Sequence, residues 1–161
     1  MNFLTRTGVL WGLFVLMVVS GIGFGVTSDL VGGKFLDSIS EPVLARELLA
    51  GLTPEQAQAH LWITLSLDTI YPLAYGGLFM GLALRFFDEY RVAAAMPAAL
   101  TAIVDLTENM VQVLALSGTA DVLDSKEWLT TLKFGLFMMA AVIALVALGI
   151  ALYRRVKSRS I

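Results

Sequence analysis

FGLFMMAAVIALVALGIALY, running from Phe134 to Tyr153, carries no charge over its whole length. A helix needs about 20 mostly apolar residues to cross a bilayer, so this run by itself reads as a transmembrane span. Two more uncharged runs lie upstream, Gly8 to Ser28 and Thr69 to Leu84. A fourth stretch, Val92 to Leu116, is long enough but is interrupted by Asp105 and Glu108. The chain has 161 residues, 58% of them hydrophobic and 15% charged. A soluble domain of this size cannot hide so much apolar surface. The expected fold is therefore all-α: a polytopic membrane protein built as an antiparallel bundle of four transmembrane helices. The spans are placed at about 7–26, 60–86, 91–116 and 127–153, in one domain over 1–161. The short basic start MNFLTRTG precedes an apolar run too long for a signal peptide, and no A-x-A site follows, so the first span is expected to stay.

The connections add detail. DSISEPVLARELLAGL (Asp37 to Leu52) predicts a short helix, with Ser40 as cap, Pro42 in the first turn and Gly51 at the end. Val43, Leu44, Leu48 and Leu49 form its apolar stripe, opposite Arg46 and Glu47, which suits an interfacial helix on the membrane surface. Thr53-Pro54-Glu55 starts the second helix sharply. Continued to about Phe87, that helix is longer than a bilayer requires, which puts His60 and Trp62 near the boundary. The third helix is expected from Glu89 to Ser117-Gly118. The fourth follows Asp124, whose partner Glu127 three residues on fits a capping box. Gly21, Gly23 and Gly25 slim the end of the first helix for close packing.

Basic residues near the spans set orientation. Arg6, Arg85, Arg91, Arg154, Arg155, Lys157 and Arg159 fall on one side; Lys34, Arg46 and Lys126 fall on the other. Both termini are thus expected to be cytoplasmic, with the two acidic loops opposite. In a bacterium this is a multi-pass protein of the inner (plasma) membrane.

Several chemistries are excluded. There is no cysteine, hence no disulfide, iron–sulfur cluster or thiolate zinc. With His60 the single histidine, bis-histidine haem and multi-histidine metal centres are excluded within one chain. No cofactor or metal is expected, and no basic aromatic patch suggests nucleic acid.

Against this apolar background stands VDLTENMVQ, Val104 to Gln112. Asp105, Glu108, Asn109 and Gln112 recur at i, i+3, i+4 and i+7, one face of one helix, which Thr101 extends. The second helix answers with LDTIYPLAYGG, where Asp68, Tyr71 and Tyr75 share a face. Pro72 lacks an N–H, so the carbonyl of Asp68 loses its helical partner; a kink and a free acceptor are expected there. Gly76, Gly77 and Gly81 permit close packing below. The fourth helix contributes Lys133. Charges in hydrocarbon are costly, so these faces should turn inward to one polar chamber near the acidic-loop side. Asp68, Asp105 and Glu108 against Lys133 leave net negative charge. The chamber must hold protons, bind a cation or admit water.

The pair LDTIYPLAYG and VDLTEN resembles a pattern in small bacterial four-helix integral membrane proteins of no assigned activity. The resemblance covers the second and third helices and implies the same architecture. It puts weight on Asp68, Tyr71, Tyr75, Asp105, Glu108 and Asn109.

Three functions fit these residues. The first is binding or translocation of a small cationic or amphipathic ligand, or of protons, at Asp68, Tyr71, Tyr75, Asp105, Glu108, Asn109, Gln112 and Lys133. Transport through so few helices would call for a homodimer or larger assembly. The second is an intramembrane acid–base enzyme acting on a lipid or isoprenoid, with one carboxyl as proton donor and another as acceptor. The third is a non-catalytic accessory subunit of a membrane complex, its acid–lysine and acid–amide pairs serving only to hold helices together. Lipid is the partner common to all three.

Overall fold

The computed structural model describes residues 3–158. Arg159, one of the basic residues counted for orientation, lies outside them. The helices are α1 (Thr7–Thr27), α2 (Pro42–Gly51), α3 (Pro54–Leu65), α4 (Leu67–Phe86), α5 (Arg91–Leu116) and α6 (Lys126–Lys157), joined by short 3-10 turns. No strand occurs among the described residues. Four stretches are long and apolar enough to cross a membrane: Thr7–Val31, Pro54–Phe86, Asp88–Leu116 and Leu123–Lys157.

Neighbouring long helices run antiparallel, as their contacts show. On α4, Gly77 meets Leu13 of α1, while Gly23 of α1 meets Leu67. Tyr75 of α4 reaches Asp105 of α5, and Asp68 reaches Asn109. Glu108 of α5 meets Lys126 and Thr130 of α6. The central helix is α4, which packs on α1, α5 and α6, whereas α1 and α6 barely meet. Two glycines set its spacing. A Cβ on Gly81 would lie 2.5 Å from the Leu4 carbonyl oxygen, and one on Gly76 would lie 2.9 Å from Ala102 Cβ. Neither distance is sterically tolerable, so small residues here let the backbones approach. Away from these seams, Trp11, Val15, Val19, Ile103, Leu145 and Leu152 are exposed, leaving an apolar outer surface.

The structure departs from the sequence expectations at the connections. The second span is two helices, broken at Ser66 (φ −109°, ψ −82°). There the Ser66 N–H and hydroxyl both donate to the Trp62 carbonyl, at 3.0 and 2.6 Å. The Thr69 hydroxyl donates to the Thr64 carbonyl at 3.0 Å. The Ser66 hydroxyl thus shares a carbonyl with the ladder bond and the Thr69 hydroxyl engages the Thr64 carbonyl, back-bonds of the kind that bend a helix. The Thr53 start forms a full capping box with Gln56.

The cap of α2 is Glu41 rather than Ser40, with no side-chain bond. Its packed side is Ala45, Leu48 and Leu49, set against Leu123, Leu129 and Val111. Val43 and Leu44 face outward instead. Arg46 lies at the surface but is paired: its Nε donates to Asp121 Oδ2 at 2.7 Å and its Nη1 to Asp124 Oδ1 at 2.9 Å. These bonds raise the Arg46 guanidinium and hold the Asp121 carboxyl below its ordinary range. With Asp124 so engaged, the expected capping box at α6 does not form; Ser125 occupies the cap position without a side-chain bond.

Candidate functional site

Every polar residue expected on α4 and α5 is on an inward face. Asp68, Tyr75, Thr101, Asp105, Glu108, Asn109, Gln112 and Lys133 are all buried. Tyr71 is half-buried. The hydroxyl of Thr101 is spent on its own helix, donating to the Pro97 carbonyl at 2.7 Å.

The acceptor that Pro72 leaves free is filled. Asn109 Nδ2 donates to the backbone carbonyl of Asp68 at 2.5 Å. A missing helical bond on α4 thus becomes a tie to α5, and it leaves no buried carbonyl orphaned.

Around Lys133 the carboxylates converge. Its Nζ lies 2.5 Å from Asp37 Oδ1, 2.7 Å from Glu108 Oε2 and 3.5 Å from Asp105 Oδ1. Glu108 Oε1 also accepts from Lys126 Nζ, and from Thr130 Oγ1 at 2.6 Å. Tyr75 OH donates to Asp105 Oδ2 at 2.7 Å. Behind these, Gln112 Nε2 reaches both Asp37 Oδ1 and Asn109 Oδ1 at 3.4 Å.

Oxygens of Asp37, Asp105 and Glu108 lie within 4.8 Å of one another, a spacing that metal ligands share. The Lys133 ammonium stands amid all three, so the position a metal ion would take is already filled by a cation. What the arrangement does chemically is compensate charge.

Asp68 differs. Its carboxyl makes no hydrogen bond or ion pair among the described residues, although the residue is only 6% exposed. It faces a cavity of about 440 Å³. Asp37, Tyr71, Tyr75, Asp105 and Lys133 share that lining, with Phe24, Phe35, Phe134 and Phe137 as apolar walls. Glu108, Asn109 and Gln112 do not reach the cavity; they form the layer behind it.

Asp37, Lys126, Thr130 and His60 were not anticipated from sequence as parts of the cluster. Asp37 comes from the 3-10 turn Leu36–Ser38, deep in the long connection. Lys126, assigned above to an outer loop, is fully buried against Glu108 as the first residue of α6. A lysine in a helix's first turn opposes the macrodipole, a signal that it requires an acid partner. His60, expected near the boundary, is 1% exposed. Its Nε2 accepts the Leu36 N–H at 3.1 Å, which fixes the turn that carries Asp37.

No protein-family model, curated protein or solved structure matches this chain.

Proposed function

We propose that this is a multi-pass membrane protein whose acidic chamber binds a small cationic or amphipathic ligand. The four long helices are its spans, antiparallel, with α2 at the membrane surface and both termini in the cytoplasm of a bacterium. The apolar outer surface supports the membrane reading, because exposed apolar area on this scale has no place in water. The resemblance of LDTIYPLAYG and VDLTEN to small bacterial four-helix membrane proteins agrees with it.

The observation that carries the binding reading is Asp68. A buried carboxyl without a partner is costly, and a chain that pairs Glu108 so thoroughly leaves Asp68 open toward a cavity of small-molecule size, about 440 Å³. Native mass spectrometry of the gently solubilised protein tests this beside Asp68→Asn. A defined extra mass on the wild type, absent from the variant, is expected. Bare protein in both would favour an accessory subunit whose polar residues only join helices.

A further inference from the structure

We infer that the chamber takes a single-chain amphiphile with an ammonium head, the head resting on Asp68 and the tail leaving between α1 and α6. This rests on the binding reading above and names the class of ligand. Charge decides the head. Asp37, Asp105 and Glu108 already hold Lys133, and Glu108 also holds Lys126. Of the chamber's acids, Asp68 alone has no cation at ion-pair distance among the described residues, and it is buried. An anionic head would face carboxylates of Asp37, Asp68 and Asp105 with no free lysine to meet it. A neutral head would bring Asp68 no charge, so the carboxyl would have to hold a proton there.

The walls agree. Phe35, Phe24, Tyr71, Tyr75 and Phe137 form a continuous series of edge-to-face rings, with centroids 5.3, 5.7, 5.3 and 5.1 Å apart in turn. Ring faces attract an ammonium, the more so when it is desolvated.

The outlet decides the tail. The cavity is bounded by Gly21 and Phe24 on one terminal helix and Phe134 and Phe137 on the other, and those two helices barely meet. Phe134 is 54% exposed on the apolar outer surface. A chain passing there stays among hydrocarbon, whereas a small hydrated cation gains nothing from such an exit.

Native mass spectrometry titrations with dodecylamine, methylamine and dodecanol test the inference. Dodecylamine should bind one copy per chain, at least tenfold tighter than either of the others. Asp68→Asn should weaken it at least tenfold. Gly21→Leu should weaken dodecylamine but not methylamine, because it narrows the outlet without touching a charge. A Cβ there meets Tyr71 at an ordinary 3.9 Å, so this variant keeps the test alive if Asp68→Asn does not fold. Methylamine binding as tightly as dodecylamine would overturn the amphiphile while leaving a cation site. Equal binding of dodecanol would overturn the ammonium head. Undiminished dodecylamine binding in Asp68→Asn would move it to the apolar cleft lined by Trp11, Phe14 and Leu148 and overturn the site. No binding of any probe to folded protein would remove both this inference and the binding reading.

Discussion

Glu108 and Asp68 are both buried acids of one cluster, yet their surroundings are opposite. Glu108 is fully enclosed and is met by two ammonium groups and a hydroxyl, those of Lys126, Lys133 and Thr130. Asp68 is met by none among the described residues, and its carboxyl borders a cavity. The same chain has therefore solved the problem of a buried charge in two ways. One acid is compensated from within, which joins α5 to α6. The other is left for something outside the chain to compensate. A charge satisfied by its own fold is the signature of a structural tie. A charge left unsatisfied at a cavity is the signature of a site.

Paired substitutions give the largest separation. Glu108→Gln keeps the shape but leaves Lys126 without a carboxylate, since among the described residues that lysine has no other acid within ion-pair distance. Stranding a buried charge costs about 3–5 kcal/mol. Asp68→Asn removes no ion pair and relieves an unpaired acid, so stability should change by about 1 kcal/mol or less, toward the stabilising side. Chemical unfolding in mixed micelles measures both. Equal losses in the two variants would erase the distinction between tie and site.

An intermediate effect is expected where the two regions join. Asn109 belongs to the compensated layer, but its amide bonds the carbonyl of Asp68 that Pro72 leaves free. Asn109→Leu would strand that carbonyl, at a cost of about 1–3 kcal/mol. It would also let α4 shift against α5, so the Asp68 carboxyl should lose its fixed position and ligand occupancy should fall along with stability. If Asn109→Leu unfolds at the wild-type denaturant concentration, the carbonyl has another partner and the two regions are less coupled than their geometry implies.

How far the sequence reaches follows the same division. The α5 face at Asp105, Glu108, Asn109 and Gln112 was legible because helical periodicity alone assigns residues to faces. So was the acceptor beside Asp68, because proline's missing N–H is a local fact. The partners were not legible. Nothing in spacing tells that the turn at Leu36–Ser38 folds back to bring Asp37 to Lys133 across 96 residues of chain. Lys126 looked like a loop residue because it sits at a helix start, and only its acid partner explains its burial. The break at Ser66 was masked by Pro72, the stronger local signal. It is accompanied by a pair of hydroxyl-to-carbonyl bonds that residue type permits but does not demand. Asp124 was read as a cap because nothing local announces that Arg46 competes for it.

The smallest effect belongs to that competition, and it contrasts an exposed ion pair with the buried ones. Arg46 ties α2 to the loop before α6 through Asp121 and Asp124, all at the surface. Exposed pairs contribute little because water and salt already screen them. The sign of their pH dependence is nevertheless fixed. The Asp121 carboxyl is held below its ordinary range by Arg46. Its contribution is therefore present above the unfolded-state value and is lost as the pH falls through the lower folded value. Amide exchange over α2 should rise slightly on acidification through that window, and likewise on adding salt at neutral pH. The amides around Glu108 should respond to neither salt nor Arg46→Ala, because their ion pairs are closed to water. Faster exchange in α2 alone would keep the two kinds of charge distinct. Matching changes around Glu108 would mean that the surface tie and the buried one open as a single unit.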